Sequence, residues 1–188
     1  DFVWPHLNSP DRSIRYAARV ALERQDLAAW QDKALADSRS TATIQLMVAL
    51  ARTAPKELQS KVLARLNQLP WNRLTEEQTL DALRAYGLAF IRMGKPSAAD
   101  SEAVIARLSP LFPSQNEFVN RELCTQLVYL QWPGVAEPTM KLLAAAQTQE
   151  DQLYYVFVLR NGANLLKNDQ RRAYFSWLNV AEATYRGG

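Results

Sequence analysis

The stretch Ser9-Pro10-Asp11-Arg12-Ser13-Ile14-Arg15-Tyr16-Ala17-Ala18-Arg19-Val20-Ala21-Leu22 decides the fold class of this chain. A serine, a proline at the first helical position and an acid in the first turn make a helix start. The oxygen of such a cap accepts hydrogen bonds from backbone N–H groups that have no partner inside the helix. At roughly 100° per residue, Ile14, Ala17, Ala18 and Ala21 lie within about 100° of arc, and Arg12, Arg15 and Arg19 within about 60° on the opposite side. That spacing predicts an amphipathic helix with an apolar core face and a solvated arginine face. Small alanines beside larger aliphatics suit close approach of neighbouring helices.

The same grammar recurs along the chain. Six glycines and nine prolines in 188 residues fall between segments of helical period, which argues against sheet. Thr75-Glu76-Glu77-Gln78 and Ser114-Gln115-Asn116-Glu117 have capping-box spacing, and Ser97-Ala98-Ala99-Asp100 and Thr148-Gln149-Glu150-Asp151 are looser versions of it. Together these signals predict ten helices, near 10–24, 27–37, 40–54, 56–69, 76–93, 98–112, 116–132, 135–147, 149–166 and 169–186. The short connections bring consecutive helices into antiparallel contact. The expected fold is therefore all-α, an α-solenoid of about five antiparallel helical hairpins stacked as one domain over 1–188.

Here the residues resemble a family. Ile14-Arg15-Tyr16-Ala17-Ala18-Arg19-Val20-Ala21-Leu22 is similar to the first-helix pattern of a HEAT repeat, and Asn120-Arg121-Glu122-Leu123-Cys124 is a second echo of it, with Leu127 and Val128 falling where Ala21 and Leu22 fall. The resemblance implies a HEAT/armadillo-like repeat protein. Asn120-Arg121-Glu122-Leu123, the Gln149–Arg160 helix and Gln170-Arg171-Arg172-Ala173-Tyr174-Phe175-Ser176-Trp177 also resemble helical segments of large exported bacterial proteins that carry a c-type cytochrome module. That likeness implies a periplasmic or exported setting, and gives this chain no haem ligand.

Composition removes several function classes. One cysteine and one histidine cannot build a Cys/His zinc site or close an internal disulfide, and no Cys-x-x-Cys-His motif occurs, so no metal or cofactor is expected. No apolar run approaches the roughly 20 residues of a membrane span. The net charge is +3, with 13 basic and 10 acidic residues in 1–94 and nine of each in 95–188. That asymmetry permits a polyanion partner without announcing one.

Among single residues, His6 beside Trp4 and Pro5 reads as a surface or helix-end histidine, and Cys124 as a small buried hydrophobe. Glu76-Glu77 and Glu150-Asp151 stand in first turns, where they complement the helix dipole. The five tryptophans, Trp4, Trp30, Trp71, Trp132 and Trp177, come about one per hairpin and read as core. Gly-rich phosphate loops, His-Glu-x-x-His and Gly-x-Ser-x-Gly are absent, so no enzyme is expected. A helical enzyme with acids scattered over several helices would instead show a polar pocket holding two or more carboxylates.

The stripe Arg12, Arg15 and Arg19 is the candidate binding feature. On a solvated face, Arg15→Ala should cost about 1 kcal/mol or less. The expected function is a non-catalytic protein-interaction or scaffold module whose partner is a protein or a neighbouring domain of the same polypeptide; the alternative is a nucleic-acid-binding HEAT-like domain using the arginine stripe. In the last helix Trp177, Ala181, Tyr174, Tyr185, Leu178 and Phe175 span about 160° of the wheel, and the opening Phe2-Val3-Trp4 is also apolar. The chain is thus expected to be a piece of a longer one, with at least one end packed against further polypeptide.

Overall fold

The computed structural model describes residues 2–185. Among them are ten α-helices and no strand: α1 Arg12–Glu23, α2 Gln31–Ala36, α3 Ser40–Thr53, α4 Gln59–Asn67, α5 Glu76–Met93, α6 Ala98–Leu108, α7 Glu117–Tyr129, α8 Ala136–Ala145, α9 Gln149–Leu159 and α10 Asn168–Thr184. Each expected helix is present, most of them with trimmed ends. Several trimmed ends are 3-10 turns, at Leu27–Ala29, Lys56–Leu58, Ser109–Leu111 and Arg160–Leu165. Pro110 lacks the N–H an α-helix would need in the third of these, and Gly162 leaves helical geometry in the fourth. Helix α5 stops at Gly94, whose φ of 96° lies in the left-handed region that glycine enters without a Cβ penalty. The expected end of the last helix, at 186, lies outside the described residues.

Two start signals are displaced. Asp11, not Ser9, caps α1: its carboxylate accepts from the Ser13 and Ile14 amides at 2.7 and 3.2 Å, while Ser9 Oγ accepts from the Asp11 amide. Asn116, not Ser114, caps α7 by accepting from the Val119 amide at 3.1 Å. In both places two capping side chains alternate along the chain, and the one nearer the helix wins because its oxygen reaches the first free donors. The Thr75–Gln78 capping box forms with both bonds, and Thr148 caps α9 as its spacing implies.

The chain divides into two compact units, one up to Val104 and one from Ile105. In the first, α1 packs on α3, α2 on α3 and α4, and α3 and α4 on α5. Helix α3 is the hub, burying Ala42, Ile44, Leu46, Met47, Ala49 and Leu50, as a helix touched on several sides must. Tyr86 of α5 is fully buried, with its hydroxyl donating to Asn67 Oδ1 at 2.7 Å and its ring stacked on Trp71. In the second unit, α7 and α8 pack on α9, and α10 on α8. Leu123, Cys124 and Leu127 of α7, Leu143 of α8 and Leu159 of α9 are buried at its centre.

The burial of α1 corrects the wheel reading. Arg15, Ala18, Arg19 and Leu22 are its buried residues, while Ile14, Tyr16, Ala17 and Ala21 are not. The face rotates because an arginine stem is hydrocarbon and can be buried when its guanidinium meets acceptors. Here the acceptors exist. They come from the turn before α1, from the end of α1 and from α5.

Candidate functional site

The three arginines of the expected stripe have different fates. Arg12 is exposed. Arg15, with 7 % of its side chain exposed, donates from Nη1 to the carbonyls of Ser9 and Pro10 at 3.0 and 2.9 Å, and from Nη2 to Glu77 Oε1 at 2.7 Å. Arg19 pairs with Glu23 one turn on and lies over the Tyr16 ring. Glu23 also accepts from Arg52 Nε of α3 at 3.1 Å, so one largely desolvated carboxylate holds two guanidiniums. The stripe is thus drawn into the first unit as structural cations, with Arg12 left at its outer edge.

Around Arg15 lies a polar cavity of about 320 Å³, lined by Asn8 and Ser9 ahead of α1, Thr41 and Gln45 of α3, and Glu77, Gln78 and Asp81 of α5. Gln78 does double duty: its carbonyl oxygen completes the capping box with the Thr75 amide, and its amide nitrogen donates to Thr41 Oγ1 at 2.9 Å. Glu77 and Asp81 stand one turn apart and therefore on one face of α5. Burial, with the negative charge of Glu77 adding to it, holds the Asp81 carboxyl above the usual carboxylate range; Arg84, Arg15 and Arg12 oppose that shift. The cavity therefore carries two carboxylates, both from one helix and not from the several helices over which a scattered-acid enzyme would spread them. Among the described residues, no group of three or more His, Cys, Asp or Glu could hold a metal.

Cys124 is fully buried on α7, its sulfur 3.4 Å from Thr139 Oγ1. Burial pushes the thiol up to about 11, against a smaller opposing effect of the Thr139 contact. A thiol that is both inaccessible and neutral does not react. The native protein is therefore expected to resist a soluble thiol reagent at mildly alkaline pH and to label fully in urea; rapid native labelling would show that α7 opens readily. His6 is exposed beside the Phe2 ring. Glu150 and Asp151 do more than face a helix dipole, because both pair with Arg121.

Sequence reasoning misses this Arg121 cluster as a site. Its guanidinium sits near the rings of Phe118 and Tyr154, at 5.6 and 5.3 Å from their centroids, with Asp151 as its closest anionic partner. The Thr148 hydroxyl and the Arg121 guanidinium hold the Asp151 carboxyl below its usual range. The local signal is an arginine with Phe118 one turn earlier, but Asp151 on α9 is 30 residues away and no short-range pattern announces it.

The apolar arc of the last helix splits in two. Tyr174 packs on Ala136, Leu159 and Leu166, and Trp177 donates its indole N–H to Gln152 Oε1 at 2.9 Å. Tyr185 bonds the same oxygen. Phe175, 62 % exposed, is left largely open by its own unit and Leu178, 38 % exposed, is left partly open, and no residue of α10 is fully buried. Among the described residues, no helix is long and apolar enough to cross a membrane. No known protein family, no curated protein and no solved structure matches this chain.

Proposed function

We propose that this chain is a non-catalytic protein-interaction or scaffold module built on HEAT-like hairpins, and that its partner is a protein or a neighbouring domain of the same polypeptide. The observation that carries this reading is the side of α10 formed by Arg171, Phe175, Leu178 and Glu182, all exposed. Their spacing of four, three and four residues places them on one stripe of the helix, with an apolar centre and charged ends, the composition of a protein interface rather than of a solvated face. The order of neighbours supports the repeat reading. Within each unit a helix packs on the next helix or the next but one, which is what stacked hairpins produce. The likeness to exported proteins with a cytochrome module adds an exported setting to the proposal, and the full-length gene product would test it.

A nucleic-acid role for the arginine stripe has less support, because Arg15 and Arg19 face Glu77 and Glu23. Fluorescence anisotropy with labelled duplex and single strands at low salt distinguishes the two. For the protein-binding reading, a photo-crosslinking residue at Phe175 of the full-length gene product should give one discrete protein adduct, and the same residue at exposed Lys61 of α4 should not. Leu178→Asp should abolish the adduct. Equal labelling from both positions, or none from 175, would overturn the proposal.

A further inference from the structure

The stripe on α10 has an internal symmetry that names its partner. Arg171 and Glu182 lie equally far from the point between Ser176 and Trp177, and so do Phe175 and Leu178. When a second α10 is turned end for end about that point, every residue meets its complement: Arg171 faces Glu182, and Phe175 faces Leu178, twice over. A two-fold contact requires this self-complementarity, in which residue i meets j and j meets i. Resting on the protein-binding reading above, we infer that this face of α10 pairs with the same face of a second copy, antiparallel, forming a weak symmetric dimer.

The charges give a second reason. Arg171 is the fourth residue of α10 and Glu182 the third from its end. A cation near the helix N-terminus and an anion near its C-terminus both oppose the helix dipole, so neither is placed to stabilise the helix it belongs to. Across an antiparallel pair each is placed well, facing an opposite charge and the opposite end of the partner's dipole. In the single chain Arg171 Nη2 donates to the Ala163 carbonyl at 3.2 Å, an exposed bond that the side chain exchanges for a carboxylate on pairing. Two apolar side chains per copy at the centre make a small contact, so the dimer is a weak one, to be sought at concentrated rather than trace protein.

Charge reversal tests the register. Arg171→Glu sets acid against acid at both ends of the contact, and Glu182→Arg sets base against base; each should weaken the dimer by about tenfold or more in sedimentation equilibrium at low salt. The decisive sample is an equal mixture of the two variants. One copy then carries acids at both positions 171 and 182, and the other carries bases at both. Every facing pair is attractive, so the mixture should dimerise at a concentration where neither variant does so alone. The double variant Arg171→Glu with Glu182→Arg should dimerise by itself. Both positions are exposed, and unchanged thermal melts will show that each variant folds. If the parent chain stays monomeric at tens of micromolar, or if the folded mixture does not pair, the inference is wrong. A crosslink from position 175 to a different polypeptide would in that case leave the protein-binding reading standing.

Discussion

Arg15→Ala is expected to lower the unfolding free energy of this protein by about 3 kcal/mol, well above the roughly 1 kcal/mol of an arginine on a solvated face. The ion pair with Glu77 is not the main reason. Glu77 is 66 % exposed, so solvent screens that interaction, and Glu77→Gln is expected to cost less than about 1 kcal/mol. The larger loss comes from the other side of the guanidinium. Removing it leaves the Ser9 and Pro10 carbonyls without their donor, and the turn that leads into α1 is held by those bonds. Truncating the buried stem also enlarges the cavity beside α3 and α5. Urea unfolding followed by tryptophan fluorescence measures the difference. A loss below about 1 kcal/mol would show that the carbonyls find water instead, and would leave Arg15 free to bind a partner.

The second large effect is expected at Glu23. Its side chain is 9 % exposed and accepts from Arg19, 11 % exposed, and from Arg52, 47 % exposed. Glu23→Ala should cost about 3 kcal/mol, because it strands the Arg19 charge in a place where water cannot replace the carboxylate. Arg52 contributes little to that figure, since it can turn to solvent. The pair as a whole is a different matter. Two desolvated charges are often no better than two apolar side chains of the same size, so the double variant Arg19→Met with Glu23→Leu should recover most of the loss. A double-mutant cycle built from Arg19→Met, Glu23→Leu and the two together, followed by the same urea transition, separates the cases. Two single losses that simply add would mean that the charges act independently and that the close Arg19–Glu23 contact stabilises nothing beyond its parts.

Both effects bear on function as well as stability. An arginine that holds its own fold together is poorly placed to leave it for a phosphate, which is why the exposed stripe of α10, and not the stripe of α1, carries the proposed interaction.

What the amino-acid sequence determined by itself is the number and order of the helices. Capping oxygens, prolines at starts, a glycine at the end of α5 and a period of 3.6 act over one or two turns, so Thr75–Gln78 and Thr148–Asp151 are legible without knowing what lies beside them. Even the displaced starts of α1 and α7 are shifts between neighbouring capping side chains, from Ser9 to Asp11 and from Ser114 to Asn116. Which way a helix faces is a different question. A wheel ranks residues by hydropathy, and on α1 it places Ile14 inward and Arg15 outward; the tertiary structure reverses them because Glu77, 62 residues away, and two carbonyls of the preceding turn supply the acceptors that make a buried guanidinium tolerable. The same holds for the last helix, whose broad apolar arc is visible in the sequence but whose division between Tyr174, packed on α8 and α9, and Phe175, left exposed, is not. Local hydrogen bonding decides where a helix begins and ends; only the donors, acceptors and surfaces brought beside it by the rest of the chain decide which of its faces is desolvated.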